Sequence, residues 1–196
     1  MTSLFIAVEG PNGVGKTTIA TRLATRLQDR TGGSVHLTTE PTDTPLGRLL
    51  RASESVLHGR PLALTLAADR AAHVESEVIP ALDNGRHVVT DRYVQSSMVL
   101  QRVDGLDLDE IWAYNQYVLP ATSIYLEDEP QVITGRLGQR TSLTRLEIVG
   151  SPRRELELYR EARQFLGSED WQQHVIDCHG KDPDRVVTAI LDCLKL

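Results

Sequence analysis

The sequence predicts an α/β protein in which helices cover both faces of a parallel sheet. Short apolar runs alternate with segments whose apolar residues recur every three or four positions. The first apolar run enters a glycine-rich turn, and a helical segment follows that turn directly. Such alternation is typical of parallel sheets, because every connection between parallel strands needs a crossover. The 196 residues are enough for a single domain, 1–196, with a sizeable core.

In the first half of the chain, residues 4–8 form a short apolar run that predicts a buried strand. A helix over 16–30 follows, and its apolar face consists of residues four apart: Ile19, Leu23 and Leu27. Gly32 and Gly33 end it. Residues 35–38 predict a second strand. Two helices follow: 46–57, and a long helix from after Pro61 to Asn84–Gly85.

In the second half, the predicted strands are 88–91, 124–126 and 175–177, with a helix at 111–118. A last helix begins near Asp182–Pro183. The sheet therefore has about five strands. The stretch 136–163 carries seven of the 18 arginines and several glycines, which predicts a polar, hinged surface element. A solvated helix pair with compensating glutamates explains the same composition.

Composition and charge exclude several classes of protein. Apolar residues are 40% of the chain and charged residues 24%, as in soluble globular proteins. The longest apolar run has five residues, so we expect no membrane span. We also expect no secretory signal, because the first residues lack the basic-then-apolar order of one. The net charge of −6 argues against a nucleic-acid partner. The chain has only two cysteines, Cys178 and Cys193, which is too few for a disulfide framework or a zinc cluster. Together with the lack of a signal or membrane span, this predicts a cytoplasmic protein.

The motif that carries chemistry lies between the first predicted strand and helix. Residues 10–17 match G-x-x-x-x-G-K-[ST] at every defined position. Backbone N–H groups of such a loop face phosphates, and the helix N-terminus adds its positive end. The alternative is a glycine-rich turn with an incidental lysine. The residues expected to bind the nucleotide are Gly10, Pro11, Asn12, Gly13, Val14, Gly15, Lys16, Thr17 and Thr18.

In this phosphate-binding loop, or P-loop, Lys16 is expected to reach the β- and γ-phosphates and Thr17 to hold Mg²⁺. The predicted cofactors are therefore ATP and Mg²⁺, and the predicted fold is the three-layer P-loop NTPase fold. The loop does not identify the acceptor of the phosphoryl group. An N-K-x-D guanine-binding motif is absent from the sequence, and the leading class is a small-molecule kinase. A switch that binds nucleotide without phosphorylating a small molecule stays open.

Two further groups point to an acceptor site. Asp91 and Arg92 end the third strand, at the sheet edge where the P-loop also lies. Asp91 suits a magnesium-bound water, and Arg92 suits an acceptor phosphate; a helix N-cap is the alternative for Asp91. Arg70 follows Ala67–Asp69 in the long helix. The alternative for Arg70 is an ordinary surface position.

These motifs together resemble the thymidylate kinases, which transfer the γ-phosphoryl of ATP to dTMP. The resemblance covers roughly 3–160. Its elements are Phe5–Gly10 leading into the P-loop, Glu40–Pro41 with Gly47 and Arg51, Ala67–His73, Asp91–Ser97 ending in Gln101, and Arg136, Arg140 and Arg145–Glu147. Their order and spacing are more specific than any single element.

The resemblance implies roles for individual residues. Glu9 would face the acceptor sugar or a water hydrogen-bonded to it, Arg70 the pyrimidine and Arg92 the monophosphate. Ser97 and Gln101 would line the base pocket. An arginine-rich lid over approximately 135–155 would supply Arg140 and Arg145 to the transferring phosphoryl group, because the P-loop itself has no arginine. Lys16, Asp91, Arg92, Arg140 and Arg145 are thus the expected catalytic residues, and Thr17 and Asp91 the metal ligands. The family also implies a homodimer.

Three positions depart from the family pattern, and all concern the acceptor. Thr39, Leu66 and Leu100 stand where an arginine, a phenylalanine and a tyrosine are usual. Leu66 and Leu100 are still expected to line the acceptor pocket. Loss of aromatic stacking would weaken discrimination without abolishing phosphoryl transfer. The acceptor is therefore dTMP in a differently filled pocket, or another nucleoside monophosphate with a modified base or a ribose.

Overall fold

The protein forms one five-stranded sheet in which all strands are parallel. The structure is a computed structural model that describes residues 3–169 and 171–196. The strands are Phe5–Glu9 (β1), Val35–Thr39 (β2), His87–Asp91 (β3), Thr122–Glu127 (β4) and Gln173–Asp177 (β5). Their order across the sheet is β2-β3-β1-β4-β5. The predicted fold class and the five predicted strands are confirmed.

Ten α-helices lie in the described part of the chain. They are Lys16–Thr31 (α1), Pro45–Ser53 (α2), Gly59–His73 (α3), Ile79–Asp83 (α4), Val94–Val103 (α5), Leu108–Tyr114 (α6), Pro130–Leu137 (α7), Arg145–Val149 (α8), Pro152–Gly167 (α9) and Pro183–Cys193 (α10). A π-helical turn, Val74–Val78, joins α3 to α4. The predicted long helix is therefore α3, this turn and α4 in succession. None of the described helices has the length and apolar character needed to cross a bilayer.

Alternating side chains of the strands build a core on each face of the sheet. Ile6 and Val8 of β1 pack with α1 and α10 on one face, whereas Phe5 and Ala7 pack with α5 and α9 on the other. β1 lies in the middle of the sheet, and all five of its residues are buried. This central position fixes the end of β1, and with it the start of the P-loop.

The arginine-rich stretch 136–163 differs from the polar surface element that its composition predicts. Its first part is mostly exposed, apart from Leu137 and Leu146, and includes α8. A capping box of Thr144 and Glu147 begins this helix. Its last part is α9, whose inner face is buried: Leu156, Leu158, Tyr159, Ala162 and Leu166. The prediction is therefore wrong for α9, because an amphipathic helix of 16 residues has a polar average composition and still packs into the core.

Candidate active site at the carboxyl edge of the sheet

The P-loop begins where β1 ends, and close packing explains its first glycine. Gly10 has a φ of 142°, and a Cβ at this position would lie 2.5 Å from the Leu126 carbonyl oxygen. Gly15, with a φ of 109°, is the left-handed residue that turns the chain into α1. The loop thus places the N-terminus of α1 at the edge where β1 and β3 end.

The P-loop lysine is buried inside the loop. Lys16 Nζ donates hydrogen bonds to the carbonyl oxygens of Gly10 at 2.8 Å and Pro11 at 3.0 Å. Burial, and after it the neighbouring guanidinium of Arg92, lower the Lys16 pKa to about 7, although the nearby carboxylates oppose the shift. An anion bound in the loop would replace these carbonyls as the partner of a fully charged ammonium.

A cavity of about 220 Å³ lies in front of the P-loop. Its lining residues from the loop and α1 are Asn12, Gly13, Gly15, Lys16, Thr17 and Thr18. The other predicted members of the loop, Gly10, Pro11 and Val14, are buried behind it. Arg140 and Glu147 face this cavity from the lid.

Thr17 and Asp91 meet at the floor of the same cavity. Thr17 Oγ1 donates a hydrogen bond of 2.5 Å to Asp91 Oδ2. The second carboxylate oxygen, Asp91 Oδ1, is buried and has no hydrogen-bond partner within the described residues. An orphaned carboxylate oxygen beside a threonine hydroxyl is a donor set that suits a hard cation such as Mg²⁺. In the described ranges no group of three His, Cys, Asp or Glu side chains is placed to hold a metal ion.

A second cavity, of about 340 Å³, opens beside the first. It is lined by the residues predicted to bind the acceptor: Leu66, Arg70, Arg92, Ser97, Leu100 and Gln101. Both cavities share Asn12, Thr17, Asp91, Arg92 and Glu147. Two compartments therefore adjoin at the end of β3.

Arg70 is fixed at the back of the second cavity. It is 2% exposed, and its guanidinium donates to Glu40 Oε2 at 2.7 Å, Ser97 Oγ at 2.8 Å, the Tyr93 carbonyl and Asn115 Oδ1. Glu40 also accepts a hydrogen bond of 3.0 Å from His73 Nδ1. This buried network holds Arg70 in one orientation before any ligand binds.

The wall of the second cavity combines apolar side chains with one unpaired acceptor. Leu66 and Leu100 stand where the family usually has aromatic residues, and both line the cavity. Gln101 is 2% exposed, and its Oε1 atom has no hydrogen-bond partner in the part of the chain that the structure describes. A buried amide oxygen of this kind is ready to accept a hydrogen bond from a ligand.

Arg92 occupies the boundary between the cavities in a strained conformation. Its φ of 75° is uncommon for a residue with a side chain. Nη2 donates to Asn12 Oδ1 at 2.6 Å, and Nη1 donates to Ser96 Oγ at 3.3 Å. The guanidinium has no carboxylate ion pair among the described residues. It is therefore available to an anion from either cavity.

Glu9, expected beside the acceptor sugar or its water, lines neither cavity. Glu9 is fully buried at the N-terminus of α5 and accepts hydrogen bonds from the Tyr93 and Ser96 backbone N–H groups, from Ser96 Oγ at 2.7 Å and from Tyr159 Oη at 3.1 Å. Burial raises its pKa, although these hydrogen bonds and Arg92 oppose the shift. Glu9 acts as a buried support of α5, because all its acceptor sites point into the protein.

The structure separates the predicted lid arginines. Arg140 lines the P-loop cavity and forms an ion pair with Glu147. Arg145 instead forms two hydrogen bonds of 2.7 Å with Asp104 and lines neither cavity, so its expected position beside the phosphoryl group is not found. Arg136 contacts the Val14 carbonyl and pairs with Asp128. Of these three, Arg140 alone faces the P-loop cavity.

Sequence reasoning missed two residues that support the site. Glu155 of α9 accepts a 2.7 Å hydrogen bond from the Asn12 backbone N–H, and Asn115 accepts one from Arg70. Neither lies in a sequence motif. An acid in the first turn of a helix is common for capping reasons alone, so Glu155 carries no distinguishing signal.

Comparison with known proteins identifies the family. The family model described as thymidylate kinase matches residues 8–188. A probable thymidylate kinase of Pyrococcus horikoshii is 38% identical over 172 residues, which cover 83% of this chain and 80% of the relative. A thymidylate kinase of Limosilactobacillus reuteri is 34% identical over 177 residues, 84% of this chain and 81% of the relative. A probable thymidylate kinase of Pyrobaculum calidifontis is 38% identical over 162 residues, 80% of each chain. The chain therefore belongs to the thymidylate kinase family.

Proposed function

We propose that this protein transfers the γ-phosphoryl group of ATP to dTMP, giving dTDP and ADP. The observation that carries the proposal is the meeting of two cavities at Asp91 and Arg92, one in front of the P-loop and one enclosed by Arg70 and Gln101. Family membership supports this assignment. In this arrangement a donor phosphate and an acceptor phosphate would meet at the end of β3.

The chemistry needs little covalent participation from the protein. An anionic oxygen of the dTMP phosphate attacks the γ-phosphorus, and the bond from that phosphorus to the β,γ-bridging oxygen breaks. ADP leaves with the electron pair, so no strong general base is needed. Lys16 and the P-loop N–H groups stabilise charge on the donor, and Arg92 aligns the acceptor phosphate.

We also propose a Mg²⁺ ion at Thr17 and Asp91. The support is the unpaired Asp91 Oδ1 beside the Thr17 hydroxyl. Mg²⁺ prefers oxygen ligands and keeps waters or phosphate oxygens in its remaining positions, so two protein oxygens are sufficient. When bound, the ion supplies charge neutralisation at the phosphates.

The acceptor cavity suits a thymine base. The unpaired Gln101 Oε1 accepts from a ring N–H, which thymine has at N3 and cytosine lacks. The fixed Arg70 guanidinium borders the same space, where it suits a carbonyl oxygen of the base. Leu66 and Leu100 cover the base with apolar surface in place of aromatic rings. A hydrogen-bonding pocket of this kind discriminates by leaving its own polar groups unpaired when the wrong base binds.

Arg140 is the lid residue assigned to the transferring phosphoryl group. It faces the P-loop cavity, and its partner Glu147 lies in the lid as well. In this proposal the guanidinium exchanges Glu147 for the γ-phosphoryl oxygens when the lid closes. Arg145 would then hold the lid against Asp104 rather than contact the substrate.

The proposal also includes the cellular location and the oligomeric state of the protein. We place the protein in the cytoplasm, where its nucleotide substrates are made and where its two free thiols, Cys178 and Cys193, stay reduced. A homodimer is proposed from family membership, and sedimentation velocity tests it.

The function is tested by measuring ADP formation with ATP and Mg²⁺ fixed and the acceptor varied among dTMP, dUMP, UMP, dCMP, CMP, dGMP and AMP. We expect turnover that depends on acceptor and is highest with dTMP. ADP formation at the same rate without acceptor, or none with any acceptor, would contradict the kinase assignment. A preference for UMP would move the assignment to a ribonucleotide.

A further inference from the structure

One buried carboxylate next to the site has no role in the reaction described above. Glu155, in the first turn of α9, is 2% exposed. Both of its oxygens accept hydrogen bonds from Asn12: Oε2 from the backbone N–H at 2.7 Å and Oε1 from the side-chain Nδ2 at 3.3 Å. Glu155 therefore holds both the P-loop backbone and the Asn12 side chain.

This pairing decides which way the Asn12 amide points. A carboxylate only accepts hydrogen bonds, so it draws the NH₂ group of Asn12 towards itself. The amide oxygen then faces away, where Oδ1 accepts the 2.6 Å hydrogen bond from Arg92 Nη2. The reversed amide would place oxygen against the carboxylate and NH₂ against the guanidinium, and both contacts would be repulsive.

The backbone at the end of α8 packs closely against this carboxylate. A Cβ added at Gly150, which ends α8, would lie 2.8 Å from Glu155 Oε1 and 2.7 Å from the Leu146 carbonyl oxygen. A glycine is thus required where the backbone passes the carboxylate, and Glu155 is enclosed between Gly150 and the P-loop.

We propose that Glu155 is a positioning residue: through Asn12 it aligns the Arg92 guanidinium for the acceptor phosphate. The inference rests on the proposed function, in which Arg92 binds that phosphate. The chain of contacts is direct, from Glu155 to Asn12 to Arg92, and all its side-chain hydrogen bonds are buried or half-buried. Arg92 needs such support because its own backbone is strained.

The first test is Glu155→Gln, which keeps the size and removes the charge. A glutamine amide still accepts from the Asn12 backbone N–H, but its own NH₂ group meets Asn12 Nδ2. We expect the Kd for dTMP to rise about tenfold, the loss of a hydrogen bond to a charged group. The Kd for thymidine, which has no phosphate, and the KM for ATP should stay within about twofold.

The matched control is Glu157→Gln, which makes the same change on the exposed face of α9, where Glu157 pairs with Arg154. It should leave all three constants unchanged. Melting temperatures of both variants establish that they fold. If Glu155→Gln weakens thymidine and dTMP equally, Glu155 is merely structural and the proposal fails.

The second test is a double-mutant cycle with Asn12→Ala, which removes the side chain that lies between Glu155 and Arg92. We expect Asn12→Ala alone to lower the dTMP affinity relative to thymidine about as much as Glu155→Gln does. In the Asn12→Ala protein, the addition of Glu155→Gln should change that relative affinity by less than about twofold, because Glu155 then has no side chain through which to act.

A further loss of about tenfold from Glu155→Gln in the Asn12→Ala protein would overturn the proposal, because Glu155 would then act on dTMP binding without Asn12. Failure of the proposed function looks different, because wild-type protein would then show neither dTMP binding nor ADP formation that depends on dTMP. An active wild type with an unchanged Glu155→Gln variant would refute the positioning role alone.

Discussion

The P-loop and the lid bring positive charge to the same cavity in opposite ways. In the P-loop, Lys16 is 6% exposed, and its ammonium group donates hydrogen bonds to two backbone carbonyls. The loop itself starts from the central strand of the sheet. In the lid, the Arg140 side chain is 48% exposed and paired with Glu147. The first is preorganised by burial, and the second is a half-exposed guanidinium held by one ion pair.

This difference suits two separate tasks, binding of the donor and stabilisation of the transition state. A charge that must be ready when the donor binds is built into the core, because reorganisation then costs little. We expect a charge needed only in the transition state to come from the lid, where the half-exposed Arg140 can exchange its partner. The comparison therefore predicts larger losses from changes in the P-loop than in the lid.

The largest effect is expected for Lys16→Ala. Removal of a buried cation from the phosphate site should lower kcat about 10³-fold, the scale found when a main electrostatic donor is lost. Initial rates of ADP formation at saturating ATP measure it. Lys195→Ala, at the end of the chain, serves as the control and should retain full activity. A loss of less than about tenfold in Lys16→Ala would mean that the P-loop is not the centre of catalysis.

Asp91→Asn tests the proposed metal ligand. We expect kcat to fall about 10²-fold and the Mg²⁺ concentration that gives half-maximal rate to rise, because a neutral amide is a weaker ligand. A Mg²⁺ titration of the initial rate measures both. Asp184→Asn, in the exposed pair with Arg22, is the matched control. An unchanged Mg²⁺ requirement would remove Asp91 from the metal site.

The lid is tested by comparing Arg140→Ala with Arg145→Ala. We expect Arg140→Ala to lower kcat by about 10- to 100-fold with little change in the KM for ATP, because its charge is used in the transition state. Arg145→Ala should cost less than about tenfold, since that side chain pairs with Asp104. Arg154→Ala, on the outer face of α9, controls for loss of an exposed arginine. Equal losses in Arg140→Ala and Arg145→Ala would contradict the distinction between them.

The smallest effect concerns pH. Burial lowers the Lys16 pKa to about 7, so the free protein loses this proton as pH rises through that value, whereas the lysine bound between phosphates keeps it. ATP binding should therefore take up a proton above about pH 7, and its Kd should rise by up to about tenfold per pH unit there. Calorimetry in two buffers of different ionisation enthalpy measures the uptake. Lys16→Arg, which stays charged, should show none, and absence of uptake in the wild type would contradict the assigned pKa.

The sheet and the P-loop could be predicted from sequence because their signals are local. The apolar run 4–8 and the spacing of Gly10, Gly15 and Lys16 specify a strand, a turn and a helix without reference to the rest of the chain. The placement of Arg70 and Gln101 around one cavity followed from family resemblance, and the structure brings both to that cavity.

Other features depend on contacts that no local pattern encodes. Glu9 precedes the P-loop in sequence, yet its side chain turns under α5 because the backbone N–H groups of Tyr93 and Ser96 lie there. Arg145 is an arginine in an arginine-rich lid, and its hydrogen bonds to Asp104 and to the Glu54 carbonyl hold it away from the P-loop. Such choices are made by partners distant in sequence, which spacing and composition do not reveal.

The central claim is that a phosphoryl group passes directly between two nucleotides in adjoining cavities. The most direct measurement uses ATP made chiral at the γ-phosphorus with three oxygen isotopes and determines the configuration of the β-phosphorus in the dTDP formed. A single in-line transfer predicts inversion. Retention would require a covalent intermediate on the protein and would contradict the account.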